Sequence, residues 1–465
     1  MGRALTRPPV LCFLAALAWH FYWASTVPSP ADWDPAYYLE VARHLAAGDG
    51  AVTEAVWNLG WLPPSLRHPA DLHWMPLPSR VLVPFVGAAT DDWPAAQLCS
   101  VVLAACWAPL AWAWARRLDA TEAEGWVAGL LAATAAGYTR TITTPDSIAL
   151  YGLLGGALLL AASRRQAVAV PLAMAVALTR GDGFLLGLAA ALAWPALGGW
   201  RVALAGVGAT VAWYARGYLV AGQGWIDLRA RVAESLVLQD VISLPAPSGV
   251  TLGARLGVLG EQAGSVLTVG LIAGMVLIPG FAAITLARRS ADRGLWPIVA
   301  YAVVFPPVVY LLAPAMAREG TVYRSDAALF VPACALAAVG ASRLTRRYHP
   351  AFLPGLLMAG VLAGSVYAGR LYASATSWHL DDCGYLEQVP SGLPVMSYDP
   401  IGVAARCGRP GIIMARGQGL AELADRYGID WALVAPPAFD NGTVRAEDWN
   451  VDGWERVDER VFRRR

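Results

Sequence analysis

The sequence predicts a polytopic α-helical membrane protein with about eleven transmembrane helices and a small α/β domain at its C-terminal end. Hydrophobic residues make up 57% of the 465 positions and charged residues only 15%, against about 25% in an average soluble protein. The mean hydropathy is +0.47. A soluble chain of this length cannot bury so much apolar surface in one or two cores, and a disordered chain needs low hydrophobicity. The net charge of +1 gives no sign of a nucleic-acid partner.

The predicted spans are apolar segments close to the length of about 20 residues that crosses a bilayer as a helix. The first segment could instead be a signal peptide, because it follows a short basic start. Two segments, 167–179 and 202–215, are short and need flanking residues to cross. The eleven segments are 9–27, 94–115, 125–139, 147–163, 167–179, 183–200, 202–215, 264–287, 294–317, 327–342 and 351–369.

Arginine in the connecting loops predicts the orientation, since short cytoplasmic loops are rich in basic residues. With the N-terminus in the cytoplasm, every arginine doublet in a short loop between spans falls inside, and the short outside turns carry fewer arginines. We therefore expect a multi-pass protein of the cell membrane with its C-terminus outside. The loops at 28–93 and 217–262 would also lie outside. The inside doublets are Arg116–Arg117, Arg164–Arg165, Arg288–Arg289 and Arg346–Arg347.

The chain divides into a transmembrane part, 1–369, and an extracytoplasmic domain, 370–465. In that domain three short apolar runs, 393–398, 411–415 and 431–436, are typical of buried strands, and helical segments separate them. Gly428 ends the second helix. The pattern predicts a small parallel sheet. Cys383 and Cys407 both lie here, where an oxidising compartment permits a disulfide, although spacing alone does not prove one.

The first outside loop opens with two acidic residues, Asp32 and Asp34. A helix is predicted to begin near Pro35, which suits the first helical position, with Asp34 as the cap before it. One interpretation is that Asp34 is a cap and nothing more. The other is that its carboxylate acts on a substrate at the membrane surface.

The run from Asp34 to Leu45 resembles the opening signature of the C-type (GT-C) polytopic glycosyltransferases, which include protein O-mannosyltransferases and lipid A aminoarabinose transferases. In that family an Asp, often followed by Glu, precedes a Tyr four residues on. Asp34 and Tyr38 match this spacing, and Pro35 replaces the acidic residue. The resemblance implies that Asp34 is the catalytic base and that Tyr38 lines the substrate site. Asp32 could supply a second catalytic carboxylate.

Later stretches are similar to the same family. Asp146, in the run at 143–160, matches a second acidic position, although it could also be an N-cap, or do both. Arg180 and Asp182, at 177–188, match a T-R-P-D/E-G run except that Gly181 replaces proline. Arg180 could orient an acidic residue or meet the donor phosphate, and the alternative is an ion pair that closes a tight turn.

Tyr323 and Arg324 resemble a late family motif with two residues transposed, and Arg324 suits a lipid-linked phosphate because its guanidinium makes two parallel hydrogen bonds. A membrane-surface anchor is the alternative for Arg324, and Arg318 is a second choice of phosphate ligand.

The run from His73 to Leu77, within 67–80, resembles a family run that precedes a short apolar helix, and His73 could touch the donor or the acceptor. With His68 and Asp71 it is also a possible metal set, but the spacing is not a specific metal signature. No cofactor is certain, and a divalent cation is possible because some family members use one.

The resemblance implies an inverting glycosyltransferase that takes a sugar from a polyprenyl-phosphate donor. Its acceptor would be a lipid, a glycan or a protein outside the cytoplasm. A carboxylate within hydrogen-bond reach of the acceptor hydroxyl can take its proton. Two alternatives remain open: a transporter or flippase of lipid-linked precursors, and a non-catalytic membrane scaffold.

Overall fold

A bundle of helices with an α/β unit packed against one end forms the structure, a computed structural model, of which 68% is helical. It describes residues 7–30, 32–89, 91–194, 197–226, 277–312, 321–345, 351–375, 382–414, 419–435, 449 and 451–465. Most of the predicted loop 217–262, the first part of the span 264–287, and Arg318 lie outside these residues.

The helices follow the predicted apolar segments, with two short extra helices in the first loop. They are α1 (Pro8–Ala24), α2 (Trp33–Ala46), α3 (Leu77–Val86), α4 (Asp92–Ala105), α5 (Trp107–Arg117), α6 (Glu122–Thr134), α7 (Ser147–Ser163), α8 (Ala169–Thr179), α9 (Gly183–Ala191), α10 (Leu197–Ala221), α11 (Leu277–Arg288), α12 (Trp296–Leu312), α13 (Thr321–Thr345) and α14 (Phe352–Ala375).

Among the described residues, three helices are long and apolar enough to cross a membrane: 92–117, which joins α4 and α5, 323–344 and 352–370. The prediction of one span over 183–200 is wrong, because α9 ends at Ala191 and α10 begins only at Leu197. The span predicted at 327–342 begins earlier, at Thr321. Arg324 is therefore inside a helix rather than in a turn.

Small residues let α5, α7 and α13 pack closely. The indole of Trp107 donates a hydrogen bond to the carbonyl of Ala149, 2.9 Å away. A Cβ at Gly152 would lie 2.2 Å from this indole, and a Cβ at Gly155 would lie 2.5 Å from the Cβ of Ala328. The glycines therefore allow α7 and α13 to approach, which brings the N-terminal end of α7 beside the first turns of α13.

The C-terminal region forms most of a six-stranded sheet. Its helices are α15 (Pro400–Cys407) and α16 (Leu420–Tyr427). The strands are β1 (Val52–Thr53), β2 (Ala55–Val56), β3 (His68–Pro69), β4 (Val395–Ser397), β5 (Gly411–Ile413), β6 (Trp431–Leu433), β7 (Trp454–Arg456) and β8 (Val461–Arg464), and the larger sheet has the order β2-β5-β4-β6-β8-β7.

The three predicted strands of the tail are present and parallel, with β4 between β5 and β6. Gly428 ends α16 in the left-handed conformation, at φ 64°. The sequence analysis missed β7 and β8, which add antiparallel strands, and it missed β2, which joins the sheet from the first loop. Cys383 and Cys407 form a disulfide.

Helix α2 is held between the bundle and the C-terminal unit. Ile401, Ala404 and Ala405 of α15 belong to the same buried cluster as the apolar face of α2. The guanidinium of Arg43 makes an ion pair with Asp92 at 2.7 Å and donates to the carbonyl of Ala405. The position of α2 is thus fixed from both sides.

Candidate active site

Helix α2 begins slightly earlier than the sequence analysis expected. The prediction that Asp34 is the N-cap and that the helix starts near Pro35 is wrong. Asp32 is the N-cap, since its carboxylate accepts a hydrogen bond from the backbone N–H of Trp33 at 2.8 Å. Asp34 lies in the first turn, and its carboxylate is therefore not used for capping.

One guanidinium joins three carboxylates at the centre of the site. Arg324 directs Nη2 to Asp32 at 2.8 Å, Nη1 to Asp34 at 2.9 Å and Nε towards Asp146 at 3.5 Å. The exposed fractions of these carboxylate side chains are 44%, 15% and 4%, in that order. Three acidic side chains from two segments thus converge on one cation.

Asp34 has a second partner, which the sequence analysis did not find. The indole Nε1–H of Trp74 donates to Oδ1 of Asp34 at 2.8 Å, while Oδ2 faces Arg324. A carboxylate oxygen can accept two hydrogen bonds, and these two contacts give one partner to each oxygen. The two contacts fix the orientation of the carboxylate.

Asp146 both caps a helix and takes part in the site, as one of the open interpretations allowed. Its carboxylate accepts from the N–H of Ile148 at 3.2 Å and from the hydroxyl of Ser147 at 3.0 Å. Burial raises the pKa of Asp146 to about 6; Arg324 opposes the increase, and the charge of Asp34 adds to it.

Arg180 and Asp182 form the ion pair that the sequence analysis considered, at 3.1 Å. Asp182 also accepts a hydrogen bond from the hydroxyl of Ser325 at 2.5 Å. Arg180 donates to Ser147 at 3.4 Å, and Ser147 donates to Asp146. A chain of hydrogen bonds therefore connects Asp182 with the carboxylates around Arg324.

Tyr38 is buried between these two groups of charges. Burial raises the pKa of its hydroxyl, and the nearby carboxylates of Asp34 and Asp146 raise it further. Tyr323 precedes Arg324 in α13: its hydroxyl donates to the carbonyl of Gly137 at 2.8 Å, and its ring lies 4.5 Å from that of Tyr138. Roles in substrate binding stay predictions for both tyrosines.

His73 lies in a cleft beside Asp34. Its ring centroid is 4.9 Å from those of Trp57 and Trp74. The cleft, called here the aromatic cleft, is lined by Tyr37, Thr53, Val56, Trp57, Asn58, Trp61, Pro63, His68, Pro69, Leu72, His73 and Trp74.

A second cleft reaches Asp146 between α3, α4 and α7. Its lining is mainly apolar, and we call it the apolar cleft. It is lined by Pro78, Val81, Leu82, Cys99, Ser100, Leu103, Pro145, Asp146 and Leu150. The Arg324 cluster thus contacts both clefts: Asp146 lines the apolar cleft, and Asp34 accepts a hydrogen bond from Trp74 of the aromatic cleft.

Asp326 is a further acidic residue that the sequence analysis missed. It lies inside the helix segment 323–344 that is long and apolar enough to span a membrane. An ionisable residue within a spanning segment is a functional candidate by default. The signal was present in the sequence, but the span was predicted to start at residue 327, one position too late to include it.

The residues do not fit a resident metal ion. Across the part of the chain that the structure describes, no three His, Cys, Asp or Glu side chains are grouped to hold one. The possible set His68, Asp71 and His73 is not assembled, because Asp71 makes an ion pair with Arg80 at 2.8 Å and His68 Nδ1 lies 2.6 Å from the carbonyl of Leu66. The guanidinium of Arg324 takes the position between the three carboxylates where a cation would be held.

Comparison with solved structures supports the predicted resemblance at the level of the fold. The chain is similar to the oligosaccharyltransferase of Archaeoglobus fulgidus, with a TM-score of 0.54 and 11% identity, over 92% of this chain and 69% of that one. It also matches ArnT from Cupriavidus metallidurans, solved with undecaprenyl phosphate, with a TM-score of 0.41 and 16% identity, over 92% and 93% of the two chains.

Both neighbours are GT-C glycosyltransferases. The likeness to the oligosaccharyltransferase shows that this chain has the fold of the polytopic GT-C proteins. No family model matches the chain, and no curated protein matches it.

Proposed function

We propose that this protein is a membrane glycosyltransferase that moves a sugar from a polyprenyl-phosphate donor to an acceptor on the extracytoplasmic side. The observation that carries the proposal is the position of the Arg324 cluster. Three carboxylates surround one guanidinium, and they border two surfaces: Asp146 lines the apolar cleft, and Asp34 accepts a hydrogen bond from Trp74 of the aromatic cleft. A lipid-linked sugar needs such a boundary, because its tail is apolar and its reacting carbon is polar.

The donor tail occupies the apolar cleft in this proposal. Its phosphate then lies near the two arginines of the site, Arg324 and Arg180. A guanidinium is suited to this contact because its planar fork binds phosphate oxygens with two parallel hydrogen bonds. Donor binding therefore exchanges some of the carboxylate contacts of Arg324 for phosphate contacts.

Asp34 is the general base. The acceptor hydroxyl approaches from the aromatic cleft, and Asp34 takes its proton as the oxygen attacks the anomeric carbon. The bond from that carbon to the phosphate oxygen breaks, and the phosphate leaves with the electron pair. Attack from the face opposite the leaving group inverts the configuration. Asp32 and Asp146 pair with Arg324 and do not take the proton of the acceptor hydroxyl. One base, Asp34, is therefore enough.

The test is donor turnover by the full-length chain in nanodiscs, with a panel of polyprenyl-phosphate sugars and an acceptor extract. Turnover of one donor, with the product anomer opposite to that of the donor, is the expected result. Retention of configuration would contradict the single-base mechanism. Movement of intact donor across the bilayer without cleavage would replace the proposal with the transporter alternative.

A further inference from the structure

Each carboxylate of the Arg324 cluster is held by two contacts. One oxygen faces the guanidinium, and the other accepts a hydrogen bond from a neutral donor. For Asp32 and Asp146 this donor is a backbone N–H of the helix that the carboxylate caps, one or two residues further along the chain. For Asp34 it is the indole Nε1–H of Trp74, 40 residues away. The orientation of Asp34 therefore depends on a side chain from a different segment.

The indole of Trp74 is itself held in place by aromatic rings. It stacks on Tyr37 with 4.1 Å between the ring centroids, and Trp57 meets it at 4.9 Å with 61° between the rings. Tyr37 and Trp57 are only 2% and 8% exposed, so that neither ring can turn away without opening the core. Asp34 and Tyr37 are three residues apart in α2 and lie on one face of the helix. Trp74 therefore contacts this face at two points, the carboxylate and the ring.

The indole contact is independent of Arg324, and this matters when a donor binds. In the proposed function, on which this inference rests, Arg324 exchanges some of its carboxylate contacts for phosphate contacts. Oδ2 of Asp34 then loses its ionic partner, whereas Oδ1 keeps the hydrogen bond from Trp74. We propose that Trp74 is a positioning residue that holds Asp34 through Oδ1, and that Oδ2 is the oxygen that takes the proton.

The proton and the electron pairs then move as follows. The O–H bond of the acceptor breaks, its proton goes to Oδ2 of Asp34, and its electron pair forms the bond from the acceptor oxygen to the anomeric carbon. The bond from that carbon to the phosphate oxygen breaks, and the phosphate takes the electron pair. Trp74 keeps its indole hydrogen throughout. Because the indole is neutral, it fixes the carboxylate without adding a positive charge that would weaken the base.

The first experiment measures kcat and KM for the donor in nanodiscs, with the substitution Trp74→Phe in the full-length chain. Phenylalanine keeps a ring that can stack on Tyr37 and removes the N–H donor. We expect kcat to fall about tenfold to a hundredfold and KM to stay unchanged, since the phosphate ligands are intact. The control is Trp19→Phe, whose partly buried indole donates to the carbonyl of Thr134 at 3.2 Å, and which should keep the wild-type kcat. Trp74→Leu, which also lacks a donor, is the second variant if Trp74→Phe does not fold.

A double substitution tests whether Trp74 acts through Asp34. In the Asp34→Asn chain the base is already absent, and the further change Trp74→Phe should alter the residual rate by no more than about twofold. A loss of the same size in both backgrounds would show that Trp74 acts by another route. That result, or a rise in KM with kcat unchanged, overturns the inference.

A second readout needs no turnover. The indole N–H signal of Trp74 in the NMR spectrum of the reconstituted chain is identified by its absence in Trp74→Phe. We expect Asp34→Asn to shift this signal, because the acceptor of the hydrogen bond loses its charge, and an unmoved signal overturns the inference. If the wild type turns over no donor, the proposed function fails, and the NMR signal still decides whether Trp74 holds Asp34.

Discussion

Replacing Asp34 tests the assignment of the base most directly. The substitution Asp34→Asn keeps the size of the side chain and a carbonyl oxygen that can accept from Trp74, as the carboxylate does at 2.8 Å. It removes the carboxylate that can take a proton. General base catalysis contributes about 10²–10⁴-fold, and we expect kcat to fall by that factor in Asp34→Asn.

Asp32→Asn is the matched control. Both substitutions remove one negative charge and one ion pair with Arg324, of 2.8 Å for Asp32 and 2.9 Å for Asp34. Asparagine caps a helix as well as aspartate does. The Asp32 side chain is 44% exposed, and an exposed pair contributes at most about 1 kcal/mol, or about fivefold.

The assay is the rate of donor loss at saturating donor, with the two variants and the wild type reconstituted side by side. The predicted order is wild type, then Asp32→Asn within about fivefold, then Asp34→Asn at least about a hundredfold below. Equal losses in the two variants would refute the reasoning, because the shared cause would then be the charge around Arg324. Activity of Asp34→Asn above about a tenth of the wild-type rate would also refute it.

Three further predictions concern the cluster and the tail. Arg324→Lys should raise KM for the donor at least about tenfold, because an ammonium cannot bind phosphate with two parallel hydrogen bonds; an unchanged KM would remove Arg324 as the phosphate ligand. Since burial raises the pKa of Asp146 from 3.8 to about 6, the folded state binds more protons than the unfolded state between these values, and stability falls by up to about 3 kcal/mol as pH rises through them. Thermal unfolding from about pH 4 to pH 7 should show a weaker decline for Asp146→Asn, and equal declines would contradict the burial of this carboxylate. Cys383 and Cys407 close a loop across 24 positions, and reduction should lower the melting temperature by an amount equivalent to about 3 kcal/mol; Cys383→Ser with Cys407→Ser should melt alike with and without reductant.

Most helices could be predicted from the local sequence, because a long apolar run is also what makes the segment fold as a buried helix. Their ends were harder to place. The start of α13 was placed at 327, where the apolar run begins, whereas the helix starts at Thr321. Arg324 is inside the helix, where the bundle supplies a partner, Asp34, that no local pattern contains.

The two aspartates at the start of α2 illustrate the same limit. Asp32 and Asp34 are equally good capping residues, so their local preference could not decide which one caps. The structure places the cap at Asp32 and turns Asp34 towards Arg324, which is far away in the chain. Trp74 could not be recognised as the partner of Asp34 for the same reason, because an indole in a loop has no fixed register with a helix.

The geometry of the base depends on residues at the far end of the chain. Strand β2, only two residues long, pairs with β5 and is too short to be recognised from periodicity. Arg406 donates to the carbonyl of Pro30 at 2.9 Å, just before the cap of α2. The helix that carries Asp34 is thus positioned by the C-terminal unit as well as by the bundle. It follows that the resemblance in the first loop could suggest the base, whereas the orientation of its carboxylate required the folded chain.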